Sequence, residues 1–278
     1  MGARMAAVGH VEWVQFARVE HVAAPGEVVH ATDPFAEPAG GGAVAAVQLA
    51  RLAGGASLLT ALGADEHGER SRNRLEELGV SVSAQTVERP TRRALTLLDA
   101  AGERTITTLG PRLQPTGADA VAALGVLGAV YFTAGDLDAL TAARAAAGVL
   151  VANPRAGECL EHGVELDALV YSAEDQIERE AAARVQGRCG LTVRTAGVRG
   201  GEYESAGGGR GSWEAAQPPG PHVDAYGCGD SFAAGLAFAL ASGRDVEAAI
   251  ALAARCGAVC STGRGPYGRQ LTAQDLAP

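Results

Sequence analysis

From about residue 116 the chain alternates short apolar runs with helical stretches, and strands are expected near 129–133, 149–152, 168–171 and 191–195. A helix placed between successive strands must carry the chain back before the next one starts, so the strands run parallel and the crossovers stack helices on the sheet. The expected fold class is α/β, a doubly wound and mostly parallel sheet flanked by helices. The 278 residues suit one such unit with an appendage better than two independent domains. Aromatic residues make up only 4% while hydrophobic residues reach 47%, so the core is expected to be built from Ala, Val and Leu, in layers that 38 glycines allow to approach closely.

The first half is less regular. Residues 6–11 read as a first strand, and a glycine run at 40–42 opens a helix whose apolar residues fall on most faces. Between them, residues 12–38 come in short pieces broken by Pro25, Pro34 and Pro38, the pattern of edge strands and turns. After an apolar strand SLLTALG, Asp65 is placed to cap a helix rich in Arg and Glu that Gly79 ends, and strand material follows at 80–88. Residues 93–108 read as a hairpin whose turn is supplied by Gly102, and with 12–38 they are expected to form a small separate sheet. A second hairpin with a glycine tip is expected at 202–216, then helices over about 227–242 and 245–261.

Charge and cysteine content exclude several function classes. A net charge of −9 without a basic patch argues against nucleic acid and anionic membrane as partners, because both are bound through clustered Lys and Arg. Cysteines 159, 189, 228, 256 and 260 are odd in number and lack framework spacing, so reduced thiols are expected. No His or Cys pairing has the spacing of a transition-metal site. The N-terminal apolar run is broken by His10 and Glu12 and no stretch approaches a membrane span, so a cytoplasmic location is expected.

The segment most informative about chemistry is VDAYGCGDSFAAGLAFAL, residues 223–240, where a Gly-x-Gly turn runs into an Ala-rich helix. A helix start offers free N–H groups and the positive end of a dipole, and glycines let backbone approach an anion without Cβ collisions. Gly227, Cys228 and Gly229 are the candidate anion hole. Asp230 is placed to hydrogen-bond a substrate hydroxyl and take its proton, or else serves only as a capping carboxylate.

DAYGCGDSFAAG resembles the C-terminal signature of the ribokinase-like, or PfkB, carbohydrate kinases, roughly DTxGAGDxFxxG. Asp224, Gly227, Gly229, Asp230, Phe232 and Gly235 stand in register. Further segments are similar in the family's order: AGGGAVAAVQLARLAG at 39–54, LGADEHGERSRNRLEELGV at 62–80, PTRRALTLLDAAGERTI at 90–106 and LTVRTAGVRGGEY at 191–203. The resemblance implies one ribokinase-like unit over residues 1–278, with lid insertions at about 12–38 and 82–108. It also implies an ATP-dependent kinase acting on a hydroxyl of a sugar, sugar acid or nucleoside-like molecule with Mg²⁺. Asp230 would then be the base, Thr195 and Gly197 would lie beside the nucleotide, and Gly40, Gly41 and Gly42 beside the acceptor. A weak match of Ser172–Asp175 to an Asn-x-x-Glu element points to Asp175 near Mg²⁺. Asp224 serves either a monovalent-cation site for K⁺ or a turn lock. Glu12 and Asp33 are candidate acceptor contacts, against plainer readings as a strand-end carboxylate and a turn starter.

Two departures bear on the acceptor: Val14 and Val44 stand where the family often places Asp and Asn. They motivate an alternative, a ligand-sensing module of the same fold with weak catalysis. A homodimer clasped through the lid is also expected, since a small sheet otherwise leaves apolar surface and free edges.

Overall fold

A computed structural model describes residues 4–100, 102–185 and 188–276. Among these residues thirteen strands and seven α-helices follow one another as β1 (Met5–Val8), β2 (Glu12–Arg18), β3 (Thr32–Ala39), α1 (Gly41–Ala53), β4 (Ala56–Gly63), α2 (Glu66–Glu77), β5 (Val80–Val87), β6 (Arg93–Leu98), β7 (Arg104–Leu109), α3 (Asp119–Ala122), β8 (Leu127–Phe132), α4 (Leu137–Ala146), β9 (Ala147–Ala152), β10 (Leu166–Ser172), α5 (Gln176–Val185), β11 (Cys189–Thr195), β12 (Gly201–Ser205), β13 (Arg210–Trp213), α6 (Cys228–Ala241) and α7 (Val246–Cys260). Nine strands form one sheet in the order β13-β12-β11-β10-β9-β8-β1-β4-β5. It is parallel from β5 to β11, and the β12–β13 hairpin adds an antiparallel edge.

Alternation along the central strands shows why both faces are covered. Ala129 and Tyr131 of β8 enter one apolar cluster while Val130 and Phe132 enter the other, and β10 repeats the pattern with Ala168 and Val170 against Leu169 and Tyr171. A sheet with apolar residues of both parities has no face to offer water, so helices must pack on each side. Close layering relies on small residues. A Cβ added to Gly235 of α6 would lie 2.6 Å from Cys256 Sγ of α7, so that glycine sets the α6–α7 spacing. All five cysteines are free thiols, and Cys256 and Cys260 are fully buried in this packing.

The second sheet has the order β3-β2-β6-β7, with β2 and β6 parallel and the outer pairs antiparallel. Its β3 carries Pro34 and Pro38 and pairs only with β2, as an edge strand can, because a proline has no N–H to give to a ladder. The β6–β7 turn closes on Asp99 and Gly102, the latter at φ 81°; Ala101, which belongs to the expected turn, lies outside the described residues.

Two boundaries differ from expectation. Residues 82–87, expected within the second lid insertion, lie in β5, which pairs with β4 over its whole length in the large sheet. The first strand stops at Val8 rather than residue 11, because α1 crosses there: a Cβ on Gly9 would meet Gly42 Cα at 2.8 Å. Residues 1–3, the start of the N-terminal run, are outside the described residues. Among those described, no helix is long and apolar enough to cross a membrane.

Candidate active site

The start of α6 is shaped by a carboxylate that the surrounding backbone consumes. Asp224 is 1% exposed, and its oxygens accept hydrogen bonds from Tyr226 N at 2.7 Å and Gly265 N at 2.9 Å. This is the turn-lock alternative for Asp224. Both oxygens being engaged by amides, its geometry gives no support to the K⁺ reading. Gly227 then takes φ 82°, a left-handed conformation that glycine adopts without steric cost, and turns the chain into the helix. No side chain caps α6, which leaves first-turn N–H groups free for an anion. Tyr226 is buried edge-on to Phe16 with ring centroids 4.9 Å apart.

Asp230 lies in the first turn, where β8 and the glycine start of α1 close on it. Tyr131 OH donates to its Oδ1 at 3.4 Å. A Cβ on Gly41 would lie 3.0 Å from the same Oδ1 and 2.9 Å from Thr133 Oγ1, so only glycine lets α1 come this near. Burial raises the pKa of Asp230 above the ordinary carboxylate value; the positive fields of His10, Arg104 and Arg155 oppose the rise, and Glu178 adds to it. Arg104 reaches over from β7 of the small sheet and donates to Ala225 O at 3.0 Å, beside the candidate anion hole.

Glu12 opens β2 and is 6% exposed. Its Oε1 lies 3.3 Å from both His10 Nε2 and Arg92 Nη1. Burial works against its ionisation, yet the hydrogen bond and charge of His10, with the charges of Arg92 and Arg112, hold its pKa below the usual value. His10 in turn packs against Gly40, whose Cβ, if present, would be 3.0 Å from the imidazole Cδ2. Gly40, Gly41 and Gly42 therefore gather with Asp230, His10 and Thr133 in one place. Thr195 and Gly197 lie at the C-terminal end of β11, where Thr195 Oγ1 donates to Tyr171 O at 3.3 Å and Gly197 has φ 56°. That is the end of a parallel sheet at which ligands bind in such folds.

Two candidates are occupied otherwise. Asp33 does not turn toward an acceptor: its carboxylate is gripped by Arg264, Nε to Oδ2 at 2.9 Å and Nη2 to Oδ1 at 2.6 Å, and the same guanidinium stacks 3.9 Å over the Phe35 ring. Next to Arg264, Gly265 N holds Asp224, and Tyr267 OH donates to Pro38 O at 2.7 Å. Asp175 caps α5 by accepting from Glu178 N at 3.0 Å and is ion-paired to Arg155, so its carboxylate serves the fold rather than an open metal position. Val14 and Val44 are wholly buried in the apolar cluster. Among the described residues, no group of three or more His, Cys, Asp or Glu is arranged to hold a metal ion.

Sequence reasoning passed over Tyr131, Thr133, His10, Arg92, Arg104, Arg112, Arg155 and Glu178. Tyr131 and Thr133 had a usable signal, since they end a central strand on the ligand-binding side of a parallel sheet. The arginines had none, because Arg92, Arg104, Arg112 and Arg155 come from four stretches that only the fold brings together.

The architecture is that of the ribokinase-like kinases. A putative ribokinase from Agrobacterium tumefaciens superposes with a TM-score of 0.79 at 22% identity, over 99% of this chain and 96% of that one. Arabidopsis thaliana ribokinase, solved with ribose and ATP, gives 0.76 at 18% over 99% and 98%. A nucleoside kinase from Methanocaldococcus jannaschii gives 0.75 at 17% over 99% and 97%. The pfkB family carbohydrate kinase profile matches residues 3–147 and 164–272, and the chain belongs to that family. No curated protein sequence matches it.

Proposed function

We propose that the chain is an ATP-dependent kinase that moves the γ-phosphate to a hydroxyl of a small polar metabolite, with Asp230 as the base. The observation that carries this reading is the desolvated carboxylate in the first turn of an uncapped, glycine-led helix, set against the glycine start of α1. An acceptor hydroxyl lying over Gly40–Gly42 would face Asp230. Its proton passes to the carboxylate as its oxygen bonds to the γ-phosphorus, and the bond from that phosphorus to the β–γ bridging oxygen breaks, releasing ADP. The amides of residues 227–229 are positioned to meet charge on the transferring phosphoryl oxygens. Thr195 and Gly197 would flank the nucleotide.

Mg²⁺ fits this site only as a companion of the nucleotide phosphates. Asp175 and Glu178 are both paired with Arg155 and form no coordination shell, and Mg²⁺ commonly keeps most of its ligands as water and phosphate oxygens. Closure of the small sheet, which already reaches the loop before α6 through Arg104 and Ala225 O, would keep water from competing as acceptor. The reading further carries a homodimer joined through that lid, and a cytoplasmic location where ATP is at hand.

Asp230→Asn tests the base. Turnover measured as ADP release should fall by about 10²–10⁴ while binding of an ATP analogue persists. Near-full turnover would remove Asp230 from the reaction. Tight metabolite binding with no turnover in the unmodified chain would favour the sensing module instead.

A further inference from the structure

Glu12 is ion-paired to two of the cations, Arg92 and His10, that form a positively charged corner near the start of α1. Arg92 and His10 share its Oε1, while Arg112, partly buried on the segment after β7, has no ion pair among the described residues. The Arg112 guanidinium donates instead to neutral acceptors, Nη1 to Arg155 O at 2.7 Å and Nη2 to Gln114 Oε1 at 3.3 Å. Burial lowers its basicity and the charges of Arg92 and Arg155 press in the same direction, with Glu12 opposing them. Two further polar atoms of the corner, Arg92 Nε and His10 Nδ1, are buried with no hydrogen-bond partner.

A partly buried guanidinium that hydrogen-bonds only neutral acceptors, beside a second one that already shares Glu12 with His10, is incompletely compensated, and orphaned polar atoms add to that cost. An anion entering the corner would relieve each of these at once. Arginine suits this task, since its planar fork matches phosphate and carboxylate oxygens. The corner is continuous with the reaction site, because His10 packs against Gly40 and its field reaches Asp230.

We propose that Arg112, Arg92 and His10 form an acceptor subsite for an oxyanion, so that the alcohol phosphorylated at Asp230 belongs to a molecule already bearing a phosphate or carboxylate group. The proposal rests on the kinase reading above and narrows its substrate class to anionic polyols. Glu12 has the role of holding Arg92 and His10 in place rather than gripping a hydroxyl.

The test uses the full chain saturated with a non-hydrolysable ATP analogue, so that the anion hole is filled, and follows thermal stability on titration with inorganic phosphate. A further rise in Tm is expected, with phosphate affinity weakened about 10- to 100-fold in Arg112→Gln, less in Arg112→Lys, which keeps the charge but not the fork, and largely kept in Asp230→Asn. Turnover is then compared in pairs: ribose with ribose 5-phosphate, fructose with fructose 6-phosphate, and glucose with gluconate, the last separating carboxylate from phosphate. No phosphate response in a chain that does respond to the nucleotide overturns the proposal. So does unchanged phosphate affinity in Arg112→Gln, or a neutral sugar turned over as efficiently as its anionic partner. Absence of the nucleotide response would strike the kinase reading itself.

Discussion

At the scale of single residues, burial and charge decide what each carboxylate can do. Asp230 must be ionised to accept a proton, and burial lifts its pKa above the value it has in the unfolded chain. The folded state therefore holds that proton to higher pH than the unfolded state, and stability falls as pH rises through the interval between the two values. Activity should rise over the same interval, so the acidic limb of the kcat profile is expected above pH 3.8, the ordinary Asp value. Asp230→Asn should be at least as stable as the parent at neutral pH, with the difference vanishing in acid; a lower Tm for the variant at neutral pH would contradict this. Glu12 has the opposite sign: its lowered pKa contributes stability that is present above the unfolded value and lost as pH falls through the folded one. Gly41→Ala tests the close approach of α1. The added methyl meets Thr133 and Asp230, and a displacement near 1 Å there should lower kcat by about 10²-fold. Unaltered kinetics would show that the approach is not needed.

At the scale of elements, Asp65 shows how one cap joins two segments. Its Oδ1 accepts from Gly68 N at 2.8 Å at the start of α2, and its Oδ2 accepts from Thr91 N at 2.8 Å, fixing the strand entry that carries Arg92. Asp65→Ala should cost about 0.5–2 kcal/mol in denaturant unfolding, the range for a lost cap. A smaller change would mean that Thr91 alone holds the junction. The cap and the helix it begins were legible in the sequence because Asp65 and Gly79 bracket a local pattern, and α6 and α7 were legible for the same reason. The fate of β5 was not. Residues 82–87 alternate like any half-buried strand, and only pairing with β4, more than twenty positions away in sequence, assigns them to the large sheet. The candidate site divides in the same way: the glycine turn and proposed base at 227–230 are contiguous in sequence, whereas the partners of Asp33 and Asp175 come from Arg264 and Arg155 and could not be inferred from spacing.

At the scale of the whole molecule, the small sheet leaves Leu95, Ile106 and Leu109 exposed and has free edges at β3 and β7. Unpaired edges beside apolar surface invite a second copy. The mass by light scattering at micromolar concentration should be that of a dimer, and Ile106→Glu should shift it toward the monomer; a monomeric parent chain would end the idea of lid-to-lid pairing. The small sheet and the loop before α6, however, both lean on one short turn at 264–267. Arg264 fastens Asp33, Tyr267 fastens Pro38, and Gly265 between them fastens Asp224 beneath the glycine turn that begins α6. A ligand drawing β3 inward would pull on the footing of the candidate anion hole as well, so the small sheet and the start of α6 are geared together rather than free to move apart.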